Sequence, residues 1–545
     1  MKKRIFVSVM VILITISMVF FAGNIKYGGT LTLTGGAASP SPARIFNPFS
    51  PSVLYGAYAI YQPLLNVNAF NGKITPLLAV SFKWEDNGYK LVYQLRQGVK
   101  WSDGAPFTSK DVVFTFNMLK KYPALDTRGI WSSGALDSVV ADGDYTVIFN
   151  FKKLDTPLAI SIDAIPIVPE HIWSKVKNPV TWTDPDPIGT GPFVFERFAG
   201  STYFLKKNPN YWQKGRPYID QLKFVIYTTN TAATMALSRG ILDWGGYFIP
   251  SIEKVYVSRN PKYYHYWFPP LSVIGLFFND QKYPFNNLEV RRAIAMAINK
   301  ERISKIGEYG YGLPADPTGL LPSFMDKWFY QPLSSLKYKY DPQEARKLLE
   351  NAGFKMGNDG IFVDKNGKKL AVNLSVVTGW TDWVTDVRLI SQDLKKIGIL
   401  VNIKSTTFST YMASLSTGSF DMALMWTGSG PSPYFTFKAR LSSKNSAPIG
   451  KNAPANYERW EDPITDSALQ IYRESTSFSM KKRAMAIMEW VMVTQVPFMP
   501  LYYGPVWYEY NTMRFVGWPT KEDPYCVPEN GYGNFSIILT HVHLR

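Results

Sequence analysis

Apolar and polar positions alternate from Tyr27 through Gly-Gly-Thr-Leu-Thr-Leu-Thr34, which predicts a half-buried strand. A second alternating pair surrounds Asp86-Asn87-Gly88, so Trp84 to Trp101 reads as a hairpin whose returning strand begins at Tyr89. Helical spacing then appears at Phe114, Phe116 and Leu119. Thr108 stands where it can cap that helix, and Asp111 suits the positive helix start. In the second half the period keeps switching. Val273 to Phe278 reads as a strand and Glu289 to Ala297 as a helix. Asp341-Pro342 opens a helix that ends near Gly353, and Leu370 to Val377 is a strand. Val384, Val387, Ile390, Leu394 and Ile397 share one helix face, and Val401 to Lys404 and Met422 to Met425 are strands. This alternation predicts an α/β domain with a largely parallel sheet.

Composition narrows the class. The chain has 545 residues, 46% hydrophobic and 19% charged, which is globular and long enough for several domains. Its only cysteine, Cys526, excludes an intramolecular disulfide, a thiolate zinc cluster and a Cys-x-x-Cys redox centre. The net charge of +17 is scattered in short groups such as Arg291-Arg292 and Lys481-Lys482-Arg483, without the stripe that nucleic-acid binding calls for, so no nucleic-acid partner is expected. Aromatic residues reach 15%, with 16 Trp, more amphipathic ring surface than a core requires.

Lys2-Lys3-Arg4, the apolar run Ile5–Phe21 and the small pair Ala22-Gly23 read as a secretory signal over 1–23. The alternative is an uncleaved tether, because the run approaches the length of a membrane span. No cysteine stands at the cleavage point, so a lipoprotein is not expected.

Several segments resemble one family. They are Tyr61-Gln-Pro-Leu-Leu65, the stretch Leu91 to Asp111, Gly189-Thr-Gly-Pro-Phe193, and Asn208-Pro-Asn-Tyr-Trp212 with Gly215 to Asp220. Val290 to Ile298, Tyr340-Asp-Pro342 with Leu348 to Gly353, and Leu394 to Ile399 complete the series. In this order they resemble the large solute-binding proteins of ABC importers for oligopeptides, nickel and oligosaccharides. The resemblance implies two α/β lobes that close by hinge motion on a ligand between them, with an additional α/β domain inserted in the first lobe. It puts the first lobe at 24–65, 188–279 and 497–545, the extra domain at 66–187 and the second lobe at 280–496. It further implies an exported protein, expected as a monomer, that binds without catalysis or cofactor and delivers its ligand to permease subunits in the inner membrane.

Ligands of open α/β sheets sit beyond the carboxyl ends of strands. There the chain carries Trp380, Asp382 and Trp383 after one strand, Trp426 and Ser429 after another, and Asn279 after a third. Asn47 and Trp244 complete the candidate ligand-binding set. An indole stacks on the C–H face of a sugar ring, and Asp or Asn meets its hydroxyls. The competing reading packs Trp380 and Trp426 between helix and sheet and leaves Asp382 as a helix cap; Trp383, opening a helix, is the one for which a core role is least natural. Peptide-binding members of the family resemble one another in an Asp after the strand equivalent to Met422–Met425, which grips the ligand's amine. Here no acid occurs from Met422 to Tyr457. The Trp380-Thr-Asp-Trp383 element is similar to the sugar-binding branch, so a β-linked gluco- or manno-oligosaccharide is expected, with an oligopeptide as the alternative.

An enzyme would need other signals. No Gly-x-x-x-x-Gly-Lys-Ser/Thr loop, Gly-x-Ser-x-Gly elbow or His-Glu-x-x-His occurs. His541-Val-His543 would project both rings from one strand face, but no third ligand is evident, and no metal site is assigned.

Overall fold

The computed structural model describes residues 25–35, 43–227 and 229–545. The proposed signal segment lies outside them. Three main sheets organise the chain. The first lobe has four strands in the order Thr30–Thr34, Gln221–Val225, Thr202–Lys207 and Phe193–Ala199. Only the first two of these strands run parallel. The inserted domain is antiparallel throughout, ordered Ala79–Glu85, Lys90–Leu95, Thr146–Phe151 and Leu136–Ala141. Its first hairpin turns through Asp86, Asn87 and Gly88, all at positive φ.

The second lobe carries five strands in the order Leu400–Thr406, Ala371–Val377, Met422–Trp426, Pro270–Phe278 and Phe498–Pro505. The first three are parallel, as their intervening helices Thr381–Lys396 and Phe408–Thr417 require, and the last two are antiparallel. This corrects the domain limits read from sequence. Pro270–Phe278 and Phe498–Pro505 were assigned to the first lobe, yet both complete the second sheet. The chain crosses between lobes after the strand Tyr264–Tyr266 and returns before its partner Glu509–Asn511. Sequence periodicity cannot locate such a crossing, because an apolar run buried on both faces looks alike in either sheet.

Packing accounts for the family segments. Asp111 accepts from Thr108 N at 2.9 Å, from Glu170 N at 3.0 Å and from Trp101 Nε1 at 3.3 Å, so it fixes a capping box and an indole together. Gln62 accepts from Trp212 Nε1 at 2.9 Å and donates to Tyr211 Oη at 3.2 Å, which joins two segments distant in sequence. Gly189 and Gly191 lie against the backbone of Ala59 and Ile60, and Gly191 N donates to the Ile60 carbonyl at 2.8 Å. A Cβ on Gly189 would stand 2.0 Å from the Ile60 carbonyl oxygen. Gly189→Ala should therefore lower unfolding stability by about 1–3 kcal/mol, read from denaturant midpoints. An unchanged midpoint would mean that the backbone relaxes freely there.

The apolar interior divides differently from the sheets. One continuous core runs from the first lobe into the inserted domain, a second fills the second lobe, and a smaller third gathers Leu237, Ile249, Tyr256 and Tyr264 next to the crossings.

Candidate functional site

A cavity of about 420 Å³ opens between the lobes. Its second-lobe wall grows from two strand ends. After Ala371–Val377 the chain turns through Gly379 at φ +89°, and Trp380 precedes the helix Thr381–Lys396. Met422–Trp426 ends beside it, in register with Ile274. The indoles of Trp380 and Trp383 meet edge to face with centroids 4.9 Å apart. Trp426 lies 6.3 Å from Trp380 and 6.0 Å from Trp383. Trp380 and Trp426 are half-buried, whereas Trp383 is only 5% exposed and belongs to the second-lobe core. The order of burial is thus the reverse of the sequence expectation. Opening a helix does not expose Trp383, because the first turn points back at the Tyr411 ring, 6.4 Å away.

Trp426 is held from behind. Arg440 donates through Nη2 to its carbonyl at 3.1 Å and through Nη1 to the Ala455 carbonyl, and its guanidinium lies 3.7 Å from Glu458. Both charged side chains are buried. Burial pushes Glu458 up to about 7, against the pull of Arg440.

Acidic groups sit beside the indoles. Asp382 lines the cavity, is 6% exposed and leaves Oδ1 without a partner among the described residues. Asp386, one turn further along the helix, accepts from the Tyr502 hydroxyl at 3.0 Å. Glu308 enters from another segment and also lines the cavity. Burial, then the charges of Asp386 and Asp382, raise Glu308 well above the usual carboxylate range. Burial does the same to Asp386 and lifts Asp382 to about 6.

The first lobe faces these groups with Tyr55, Tyr227, Tyr247 and Trp244, while Trp507 comes from the returning crossover. The Tyr247 hydroxyl pairs with Thr34 Oγ1 at 2.5 Å. Trp244 is 2% exposed, edge-on to Tyr508 and Trp518, so it closes the cavity from behind as a core residue.

Five of the eight residues selected from sequence therefore line one cavity: Trp244, Trp380, Asp382, Trp383 and Trp426. The other three do not. Asn279 is fully buried and donates to the Gly418 carbonyl at 2.9 Å and the Phe420 carbonyl at 3.3 Å, tying a loop to its strand. Asn47 donates to the Trp182 carbonyl at 2.7 Å and the Pro179 carbonyl at 3.0 Å. Ser429 is exposed outside the cavity wall. Glu308, Tyr55, Tyr227 and Tyr247 escaped the sequence reading because none follows a strand of the second lobe, and Trp507 escaped because the strand before it, Phe498–Pro505, reads from sequence as part of the first lobe. The histidine pair is also resolved: His541 ends the helix Asn534–His541 and His543 begins a short strand, so the rings do not share a strand face.

Two lobes, two crossings and an aromatic cavity between them are the arrangement that a solute-binding protein of two closing lobes requires. Residues 73–448 match the model of the bacterial extracellular solute-binding proteins, family 5, and the chain belongs to that family. A periplasmic oligopeptide-binding protein of Thermotoga maritima, solved with bound mannohexaose, is 29% identical with a TM-score of 0.86, over 95% of this chain and 98% of that one. The oligopeptide-binding protein AppA of Bacillus subtilis is 27% identical over 74% of this chain and 73% of its own length. The nickel-binding periplasmic protein of Escherichia coli is 27% identical over 70% and 72%. No helix among the described residues is long and apolar enough to cross a membrane.

Proposed function

We propose that this protein captures a neutral oligosaccharide, of the β-linked gluco- or manno- type, between its lobes and delivers it unchanged to the permease of an ABC importer. The observation that carries this reading is the pair of half-buried indoles, Trp380 and Trp426, at adjoining strand ends on one cavity wall. Their faces suit pyranose C–H surfaces, and tyrosine hydroxyls and carboxyl groups around them suit sugar hydroxyls. The mannohexaose complex of the Thermotoga relative supports the same class. The lobes close over the sugar by hinge motion at the two crossings.

A second reading has its own observation. Although no acid follows Met422–Trp426 as far as Tyr457, Asp382 and Glu308 reach the cavity from elsewhere and could receive a peptide ammonium. A thermal-shift panel of mannohexaose, cellohexaose and di- to pentapeptides separates the two. A ligand at about 100 times its Kd should stabilise the folded form by about 2.7 kcal/mol. Stabilisation by the hexaoses is the expected result, and stabilisation by peptides alone would overturn the sugar reading.

A further inference from the structure

Apart from the crossing strands themselves, hydrogen bonds join the second lobe to the rest of the chain at two places among the described residues. The first lies at the crossings. The hydroxyl of Tyr311, in the second lobe, accepts from Ile252 N at 2.8 Å and donates to the Ile249 carbonyl at 3.2 Å. Its ring packs on Phe268 and Trp507, with centroids 5.3 and 6.1 Å away. The second is made by the inserted domain. Thr156 N donates to the Arg473 carbonyl at 2.9 Å, and the Thr156 hydroxyl is shared between the carbonyls of Arg473 and Ser475, each 3.3 Å away. Beside it the Asp155 carboxylate stands 3.8 Å from Arg473 Nε.

Arg473 sits at the end of the helix Pro463–Glu474, where the last carbonyls lack partners within the helix. The inserted domain therefore caps a helix of the second lobe. Each side is rooted in a different interior. Leu158, two residues past Thr156, belongs to the core that the first lobe shares with the inserted domain, and Leu469 and Tyr472 belong to the second-lobe core. Asp155 is buried; burial lifts it to about 6, while Arg473 and Lys438 of the second lobe pull it down.

A contact at the crossings can turn with the hinge, but a contact elsewhere has to break before the lobes part. We propose that the inserted domain is a clasp: Asp155 and Thr156 grip the Arg473–Ser475 end of the second lobe as the lobes close, hold part of the ligand-free population closed, and slow the escape of bound ligand without touching it. Neither residue lines the cavity, so both are positioning residues. On opening, the freed carbonyls and the Asp155 charge pass to water. The exchange of one set of hydrogen bonds for another keeps the net gain small enough for the clasp to be reversible. The proposal rests on the hinge closure of the reading above and is indifferent to the choice between sugar and peptide.

The test is stopped-flow tryptophan fluorescence with mannohexaose on the full chain, wild type beside the double variant Thr156→Val, Arg473→Met. Valine keeps the shape of threonine without its hydroxyl, and methionine keeps an unbranched stem without the charge. Dissociation should be about fivefold faster or more in the variant, with association within about twofold of wild type, because ligand enters the open form. Unchanged dissociation, or a loss confined to association, would overturn the proposal. Should the variant fail to fold, amide exchange in the wild type decides. The Thr156 amide should exchange more slowly with saturating mannohexaose than without it, and equal exchange, fast or slow, would refute the clasp. If mannohexaose does not bind at all, the sugar reading fails first. Scattering from the ligand-free chain then tests the clasp: a larger radius of gyration in the double variant supports it, and superimposable profiles refute it.

Discussion

Replacing Trp383 by Ala should cost about 3–5 kcal/mol of unfolding stability, the range for removing a core tryptophan. Trp383 is 5% exposed and touches Trp380, Trp426 and Tyr411, so its loss opens a hole beneath the cavity wall as well as in the core. Trp380→Ala should behave differently. That ring is half-buried, and its removal should weaken sugar binding by about 1–3 kcal/mol, by analogy with base-on-aromatic stacking, with a smaller effect on stability. Denaturant melts and calorimetry on both variants check the contrast. If W383A melts like the wild type while W380A shows the full core penalty, the division of labour between the two rings is the reverse of that described here.

Arg440→Met should be comparably damaging. The substitution keeps an unbranched apolar stem but strips the buried partner from Glu458 and the donors from the carbonyls of Trp426 and Ala455. Breaking a buried pair from one side costs about 3–5 kcal/mol when the remaining charge persists. Glu458, with its pKa already raised to about 7, can escape that charge by taking a proton. Because its folded-state pKa lies above the unfolded value, the penalty is smallest in acid and grows as the pH rises through the folded pKa. Melting temperatures of R440M and wild type across pH should thus diverge on the alkaline side. A gap independent of pH would show that Glu458 does not sense Arg440. Sugar affinity should also fall, since the Trp426 backbone loses its anchor.

The elements most legible in the sequence were those set by local chemistry. Thr108 and Asp111 announced their capping box, Asp341 its cap on Pro342–Asn351, and the positive-φ triplet at Asp86 its hairpin. The parallel trio of the second sheet followed from strand and helix periods. The lobe of Pro270–Phe278 and Phe498–Pro505 did not, because burial on both faces erases the alternation that would mark a side, and their partners lie more than 140 residues away. In the site, strand-end geometry delivered Trp380, Asp382, Trp383 and Trp426 to one wall. It misjudged Ser429, which the chain carries out of reach, and Asn279, whose amide is consumed by backbone carbonyls. Glu308 carried no signal at all: a single glutamate after an irregular turn becomes notable only once Asp386 is seen against Gly307.

The inserted domain and the first lobe share one interior, with Ile60, Tyr61 and Leu64 packed in the same cluster as Leu78, Tyr93, Trp101, Ile162 and Val168. The three sheets therefore make two mechanical bodies, and the inserted domain is no exchangeable cassette. A chimera cut at 66 and 187 would splice halves of two unrelated interiors. Transplanting this region between homologues would succeed only if the facing first-lobe residues, and the Gly189–Gly191 backbone seated on Ala59 and Ile60, travelled with it.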